Sequence, residues 1–328
     1  MSLLDISAIG LQIGLPLILL TWLALTPLSS RLGFLAHALF TGLVLLSLLT
    51  VSLWMIPPWW TPYLYLALWL GIMIWRAPGG FRRGPLLPGS VSNWMVVALF
   101  SGLGILAARP IIQGMQGRAL PSERTPIDIA FPMGPGIYLA ANGGATSAVN
   151  GHFLTLHPKT ERQAAYRGQS YAVDLIKIDE WGLRAPGWRP TDPAAYRIFG
   201  EPVYAPCRGI VIASDDGMPD MVVPTTDTSR LEGNHVLIQC DDYAVLLAHF
   251  RQASVSVSPG DQVTVGQHVG DAGNSGQSTE PHLHVHVQRL PGSGPLLSGE
   301  PLFLTFDGKF PVRNDRLVIE TAPTATTP

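Results

Sequence analysis

The charged residues of this chain are divided very unevenly between its two parts. Residues 1–120 contain six arginines, no lysine and a single acidic residue, whereas residues 121–328 contain fifteen basic and twenty-two acidic residues. Charged residues make up 13% of the chain, which is about half of what an ordinary soluble protein contains. The sequence therefore predicts an apolar, membrane-embedded first part and a water-exposed second part. The acidic second part argues against nucleic acid as a partner, because it would repel phosphates.

Four apolar stretches in the first part predict membrane-spanning helices. A helix needs about 20 mostly apolar residues to cross the hydrocarbon core of a bilayer. The alternative, a buried helical bundle in a soluble protein, is disfavoured because so few charges occur over 110 residues. We therefore expect an anchor of about four helices in residues 1–110. The stretches are Ile6–Leu25, Leu35–Ile56, Trp59–Trp75 and Val91–Ala108.

The arginines of the short loops predict the orientation of these spans. Arg31 follows the first span, and three arginines lie in residues 76–83, after the third span. Short loops that face the cytoplasm are enriched in basic residues, so these two loops are expected on that side. Arg109 and Arg118 argue more weakly for the opposite orientation. The C-terminal domain is therefore expected on the extracytoplasmic side.

The second part has the pattern of a β domain. After a Pro- and Gly-rich linker, residues 111–136, short runs of β-branched and aromatic residues alternate with turn residues through residues 137–320. This pattern predicts a mainly antiparallel sheet or sandwich, and the polar residues 321–328 are expected to be a disordered tail. The clearest predicted strands are Val203–Ala213, Asn234–Cys240, Tyr243–Phe250, Gln262–Val265 and His282–Gln288.

Histidines and one aspartate indicate a metal site in this domain. In a strand, His282, His284 and His286 would share one face, with the intervening apolar residues turned to the core. Neutral imidazoles grouped in this way bind Zn²⁺ readily. A second apolar strand carries His249 near its end, and Asp174 lies within a third, predicted over Gln169–Ile178. A buried carboxylate is unfavourable unless it is paired or binds a metal, so Asp174 is the natural oxygen ligand.

Several motifs, taken in order, resemble the M23 family of zinc metallopeptidases, the lysostaphin/LytM type that cuts peptidoglycan cross-links. The resemblance covers about residues 150–290. It implies a domain of lysostaphin/LytM type in which Asp174 and His284 bind Zn²⁺. It also implies that His249 and His282 are unligated catalytic histidines. The motifs are YAVD at 171–174, PVYAPCRGI at 202–210, AH at 248–249, PGDQVTVGQHV at 259–269 and GNSGQSTEPHLH at 273–284.

The third zinc ligand departs from the family pattern. The family usually has a histidine four residues before the aspartate, where this chain has Ser170. A ligand must then come from further upstream, and the candidates are His152 and His157. His152 is favoured because a Gly-rich run precedes it, whereas a charged segment that should be solvated follows His157.

Other polar residues have open interpretations. His37, in the second predicted span, is either a polar group packed between helices or a functional intramembrane residue. His286 either supports the ligand face or is merely exposed, and His235 and His268 are expected to be structural or exposed. The two cysteines, at positions 207 and 240, are compatible with a disulfide in an oxidising compartment or with a pair of buried thiols.

The resemblance implies a zinc-dependent endopeptidase that hydrolyses amide bonds in peptidoglycan cross-links with a zinc-activated water as nucleophile, and the apolar first part predicts that this enzyme is membrane-anchored. The alternative is an inactive LytM-like domain that binds the cell wall or activates another hydrolase. The expected partners are the peptidoglycan peptide and the membrane around the N-terminal helices, and the expected location is the inner membrane of a bacterium. Oligomeric state, and the bond that is cut, are left open by the sequence.

Overall fold

The computed structural model describes residues 9–27, 29–76, 84–122 and 124–323. Contacts between backbone positions divide the chain into two compact units, residues 1–116 and 117–328. Each unit is built from its own type of secondary structure, helical in the first and mainly β in the second.

The first unit contains helices at the positions of all four predicted spans. A π-helical turn, Gly10–Gly14, continues into α1 (Leu15–Leu25). It is followed by α2 (Arg31–Val51), α3 (Thr61–Arg76) and α4 (Val91–Gly117). The start of the first predicted span and two of the arginines used for orientation, Arg82 and Arg83, lie outside the described residues.

Only two of these helices, α2 and α4, are long and apolar enough to cross a bilayer, so the prediction of about four spans is corrected to two candidate spans. The reason is length. The 16 residues of α3 rise about 24 Å, short of the ~30 Å hydrocarbon core. The prolines Pro57, Pro58 and Pro62, at the start of the predicted third span, leave that helix no room to begin earlier.

His37 on α2 is buried and packs between aromatic rings. It is 5% exposed, with the ring of Trp22 edge-on at 4.7 Å and the ring of Phe100 stacked at 4.5 Å between centroids. These contacts favour the interpretation of His37 as a packed polar group.

The second unit is built on one antiparallel sheet. Its strands run in the order β13, β2, β3, β10, β7, β6, β5, β8, and β11 also pairs with β10. The mainly antiparallel β fold predicted from the sequence is confirmed. The strands of this sheet are β2 (Gly136–Asn142), β3 (Val173–Ile178), β5 (Gly209–Asp215), β6 (Asn234–Cys240), β7 (Tyr243–Phe250), β8 (Gln262–Val263), β10 (Leu283–Arg289), β11 (Glu300–Leu302) and β13 (Arg316–Ile319).

Two short pairs complete the domain. The strands β1 (Ile127–Ile129) and β12 (Leu304–Phe306) pair in parallel, and β4 (Pro202–Tyr204) pairs with β9 (His268–Asp271). A five-residue helix, α5 (Glu161–Ala165), lies between β2 and β3 in the chain.

The two faces of the sheet have different characters. Leu283, Val285 and Val287 of β10 join the main hydrophobic core, as the alternation predicts. The opposite face of β10 carries His284 and His286, which lie beside Ala248 and Leu246 of β7. We call this the histidine face. Alternation along a strand thus separates the site from the core.

Two segments differ from the sequence expectations, and most of the predicted tail is not described. The segment 111–136 holds the end of α4 and strand β1 instead of a continuous linker, because Ile129 joins the core. The predicted strand Val203–Ala213 is two strands, β4 and β5, which pair with different partners. Of the tail, residues 324–328 lie outside the described residues.

The two cysteines form a disulfide between neighbouring strands. Cys207 lies just before β5, Cys240 ends β6, and their Cα atoms are 6.2 Å apart. The sequence was compatible with a disulfide or with two buried thiols, and the structure contains the disulfide.

Candidate active site

Asp174 and His284 meet because their strands pair directly. They are opposite each other in the register of β3 and β10. His284 Nδ1 lies 3.0 Å from Asp174 Oδ1, and both residues are buried. Ligand atoms of His152, Asp174 and His284 all lie within 4.8 Å of one another. Small side-chain shifts would place each of these atoms at about 2.0–2.2 Å from one common Zn²⁺ ion, which is the usual length of zinc–ligand bonds. This donor set therefore fits that ion.

His152 reaches the site from a loop. It lies in a 3-10 turn, Gly151–Thr155, and its Nε2 is 2.9 Å from Asp174 Oδ2. The buried side chain of Asn150 accepts a hydrogen bond from the His152 backbone N–H and so fixes the start of the turn. The alternative ligand, His157, is exposed and is not part of the cluster.

Ser170 helps to hold this loop. The resemblance places a histidine at this position, but Ser170 is fully buried and its Oγ lies 2.9 Å from Thr155 Oγ1. Thr155 in turn donates to the carbonyl oxygen of His152. The residue that replaces the expected ligand therefore supports the loop that brings His152 to the site.

Asn142 joins three segments around Asp174. It lies at a bulge between β2 and β3, opposite Asp174, and its Nδ2 donates to Asp174 Oδ2 at 2.7 Å. Its Oδ1 accepts hydrogen bonds from the backbone N–H of Gly151 at 3.1 Å and from the guanidinium of Arg313 at 2.8 Å. Sequence reasoning missed Asn142, since only the paired register of β2 and β3 places it here.

His249 reaches the histidine face through a β-bulge. Successive residues of β6, Asn234 and His235, lie opposite Phe250 and Ala248, so His249 is an extra residue in β7. Its φ of +66° is left-handed, a conformation that is uncommon outside glycine and that concentrates at functional sites. Simple alternation would turn His249 away from Ala248 and into the core. The bulge gives that core position to Phe250 instead.

His249 and His282 form a pair beside the three candidate ligands. Their ring centroids are 4.6 Å apart. The Nδ1 atoms lie 2.8 Å from backbone carbonyl oxygens, those of Ser275 and Glu280 respectively. An Nδ1–H donated to a carbonyl leaves Nε2 as the proton acceptor of a neutral imidazole. The Nε2 of His282 is 3.7 Å from Asp174 Oδ1, so His282 borders the metal site without belonging to the donor set.

His286 lies behind His284 and is not exposed. It is 1% exposed, and its Nδ1 lies 3.0 Å from His284 Nε2. If His284 binds a metal through Nδ1, its Nε2–H donates to His286, which fixes the ring of the ligand. Of the two interpretations left open by the sequence, the structure favours support of the ligand face. His268, in contrast, has an exposed side chain next to Asp271.

The environment keeps His249, His284 and His286 neutral and Asp174 charged. Burial lowers the pKa of His284 to about 4, against the opposing effect of Asp174, and burial also holds the pKa values of His249 and His286 well below their usual range. Burial acts to raise the pKa of Asp174, but His152 and His282 outweigh it and hold that pKa well below the ordinary value. Neutral imidazoles and an ionised carboxylate are the forms that bind a divalent metal.

The site opens into a cavity of about 230 Å³. All five histidines of the site line it together with Asp174, and its other side is formed by residues that include Tyr166, Glu232 and Leu297. A larger cavity of about 700 Å³, between Asp128 and Pro323, is lined by none of these histidines. The chemistry-bearing residues therefore share the smaller cavity.

Comparison with known proteins finds a similarity to peptidase family M23 over part of the second unit. Residues 191–296 match the family model for peptidase family M23. The matched segment contains His249, His282 and His284, whereas Asp174 and His152 lie before it. The assignment of these last two residues to the site therefore depends on the geometry described above.

One curated relative is the peptidoglycan DD-endopeptidase ShyA of Vibrio cholerae. It is 26% identical over 132 residues, which are 40% of this chain and 22% of that protein. The match thus spans about a fifth of the relative.

Solved structures with some similarity include two peptidases. The catalytic domain of lysostaphin from Staphylococcus simulans has 18% identity and a TM-score of 0.27, over 53% of this chain and 86% of that one. A zinc-containing peptidase from Vibrio cholerae has 21% identity and a TM-score of 0.23, over 40% of this chain and 48% of that one.

Proposed function

We propose that this chain is a membrane-anchored, zinc-dependent endopeptidase that hydrolyses amide bonds in peptidoglycan cross-links. The observation that carries the proposal is the convergence of His152, Asp174 and His284 in one cavity with two further histidines, His249 and His282. The M23 match and the relative that acts on peptidoglycan support the substrate class.

The donor set of two imidazoles and one carboxylate is typical of catalytic zinc sites, which keep a fourth position for water or substrate. When bound, zinc would lower the pKa of a water ligand and polarise the scissile carbonyl. His152 and His284 would hold the ion with Asp174, while Asn142 and His286 keep the ligand side chains in place.

His249 and His282 are suited to move protons. Because each Nδ1 is held by a carbonyl oxygen, each Nε2 is left to accept a proton from the attacking water. The imidazolium formed can then donate to the developing oxyanion and to the leaving amine. The lowered pKa of His249 keeps it unprotonated, and thus ready to act as the base, at neutral pH.

The apolar helices α2 and α4 support the proposal of a membrane anchor. An enzyme that acts on the cell wall needs its catalytic domain outside the cytoplasm. We therefore propose the inner membrane of a bacterium as the location, with residues 117–328 on the outer side.

The test is cleavage by the purified full chain in detergent. Zinc-loaded protein should release products from purified cross-linked muropeptides, a chelator should stop the reaction, and zinc should restore it. His284→Ala and His152→Ala should each lose bound zinc, as measured by metal analysis, and should lose at least about 100-fold in rate.

Two exposed histidines provide matched controls, because His157→Ala and His268→Ala should keep zinc and activity. Loss of zinc from His157→Ala but not from His152→Ala would assign the third ligand to the other candidate. Zinc-loaded wild type that binds muropeptides but cleaves none would instead indicate an inactive LytM-like binding domain.

A further inference from the structure

Glu232 lies where two cavities meet beside the proposed catalytic residues. It comes just before β6, and its backbone carbonyl accepts a hydrogen bond from the backbone N–H of His249 at 3.0 Å. The 230 Å³ cavity of the site and a neighbouring cavity of about 190 Å³ have three lining residues in common, Tyr166, Glu232 and Leu297. The two cavities therefore adjoin at these three residues, and the side chain of Glu232 borders both.

The Glu232 carboxylate has no cationic partner within the described part of the chain. Its Oε2 accepts a hydrogen bond from the Tyr166 hydroxyl at 2.8 Å, and no ion pair to it occurs among the described residues. Burial and the contact with Glu232 raise the pKa of Tyr166 to about 12, so the phenol stays neutral and does not compensate the charge.

Both cavities are negatively charged and partly apolar. Neither is lined by a lysine or an arginine within the described residues, and the only carboxylates are those of Asp174 and Glu232. Asp174 belongs to the proposed metal site, which leaves Glu232 as the carboxylate of these cavities that a cationic group of the substrate can contact. The second cavity is completed mainly by aliphatic groups. These are Ala165, Pro295, Leu296 and Leu297, with His235 beside them.

We propose that Glu232 binds the ammonium group of an aliphatic diamino side chain in the substrate, and so selects peptides that carry a free amine near the cleaved bond. The methylenes of that side chain would pack on Tyr166 and Leu297, and the carboxylate would receive a charge-assisted hydrogen bond. This inference rests on the proposed function. The two are chemically consistent: an amide cross-link through a side-chain amine consumes the amine of one stem peptide, and the corresponding amine of the other stem stays free and charged.

The experiment compares substrates that differ only in the charge of that amine. Cross-linked muropeptide dimers are used with the amine free, reductively dimethylated, which keeps the charge, or acetylated, which removes it. Zinc-loaded full chain in detergent should cleave the free and dimethylated dimers with a kcat/KM about tenfold or more above that for the acetylated dimer. The difference should appear mainly in KM.

Glu232→Gln keeps the shape of the side chain and removes its charge. Glu232→Gln should therefore cleave the charged dimers and the acetylated dimer with nearly equal kcat/KM values. Glu180→Gln, an exposed position outside both cavities, should keep the wild-type preference. Equal cleavage of all three dimers by wild type, or an unchanged preference in Glu232→Gln, would overturn the proposal.

A binding measurement separates this inference from the proposed function. An un-cross-linked stem peptide has no cross-link to cleave, and its Kd can be measured with the amine free or acetylated. Tighter binding of the free form that Glu232→Gln abolishes supports the inference even if no dimer is cleaved, in which case only the peptidase proposal fails. Equal Kd values for the two forms in wild type reject the inference whatever the cleavage result.

Discussion

At the scale of single residues, Asn142 is the most informative side chain of the site. Its amide contacts Asp174, the loop that carries His152, and Arg313 at the same time. Because the proposed third ligand, His152, lies on a loop and not in the segment before Asp174, such a link helps to fix the distance between these two residues. The guanidinium of Arg313 also places positive charge behind the amide and so supports the ionised state of Asp174.

We expect Asn142→Leu, which has a similar shape and no polar atoms, to weaken zinc binding about 10- to 100-fold, as is typical when a group that orients a metal ligand is lost. Competition with a chromophoric chelator measures the Kd directly, without relying on activity. Gln252→Leu, at an exposed position, is the control. An unchanged Kd in Asn142→Leu would show that the His152 loop holds its place without this contact.

The residues that could be predicted from the sequence are those whose side chains carry the chemistry. His152, Asp174, His249, His282 and His284 were all expected at the site, and the structure brings them together in one cavity. Their supports could not be predicted in the same way. Ser275 and Glu280 act through backbone carbonyls, which carry no sequence signal. The Asn142 amide becomes relevant only through strand pairing.

At the scale of secondary structure, the bulge in β7 decides where His249 points. The pattern of apolar residues predicts β6 and β7 with the same bounds as in the structure. It does not reveal the bulge, because one extra residue inside a strand leaves no signal in the alternation of apolar and polar residues. Alternation also fails to predict the conformation of residues 169–171. They are expected as strand but lie in a 3-10 turn, Arg167–Tyr171. The hydroxyl of Ser170 donates a hydrogen bond to the carbonyl oxygen of Arg167 and so favours the turn. Local hydrogen bonds of this kind compete with strand pairing.

Because His249 has a left-handed φ, we expect glycine to give a more stable protein than alanine at this position, which reverses their usual order of stability in a strand. In an ordinary strand, glycine is less stable than alanine by about 0.5–1 kcal/mol. At φ +66°, alanine carries a steric cost of about 1–2 kcal/mol that glycine avoids. His249→Gly should therefore have the higher free energy of unfolding of the two variants, as measured by denaturant titration of chelated protein.

The paired strand supplies the matched control for this comparison. His235 of β6 has an ordinary backbone conformation, so His235→Ala should be more stable than His235→Gly. The same order at both positions, with alanine the more stable, would mean that the bulge relaxes when the histidine is removed.

At the scale of the whole molecule, the division of charge along the sequence corresponds to two kinds of structure. The part with seven charged residues forms apolar helices, and the part with the remaining charges forms the sheet that carries the site. Composition could predict this division, since it sums over many residues. It could not predict the length of each helix, which proline positions and local capping determine, and so it overestimated the number of candidate spans.

The group of buried neutral histidines makes the stability of the second unit depend on pH. Burial lowers the pKa of His284 to about 4 and lowers those of His249 and His286 from an ordinary value of 6.5. Between about pH 6.5 and pH 4, the unfolded chain binds protons at these residues and the folded chain does not. The free energy of unfolding must therefore fall as the pH falls through this window, by about 3 kcal/mol for His284 alone.

Denaturant unfolding of the chelated full chain at pH 7.5, 6 and 5, followed by a signal from the β domain, measures this slope. His286→Gln keeps a hydrogen-bonding group next to His284 but does not titrate, so its stability should fall less steeply with decreasing pH. His268→Gln should follow the wild type, because that side chain is exposed and lies outside the cavity of the site. A flat profile in wild type would mean that the folded site takes up protons as readily as the unfolded chain. That behaviour is incompatible with a buried group of neutral histidines that is suited to bind a divalent ion.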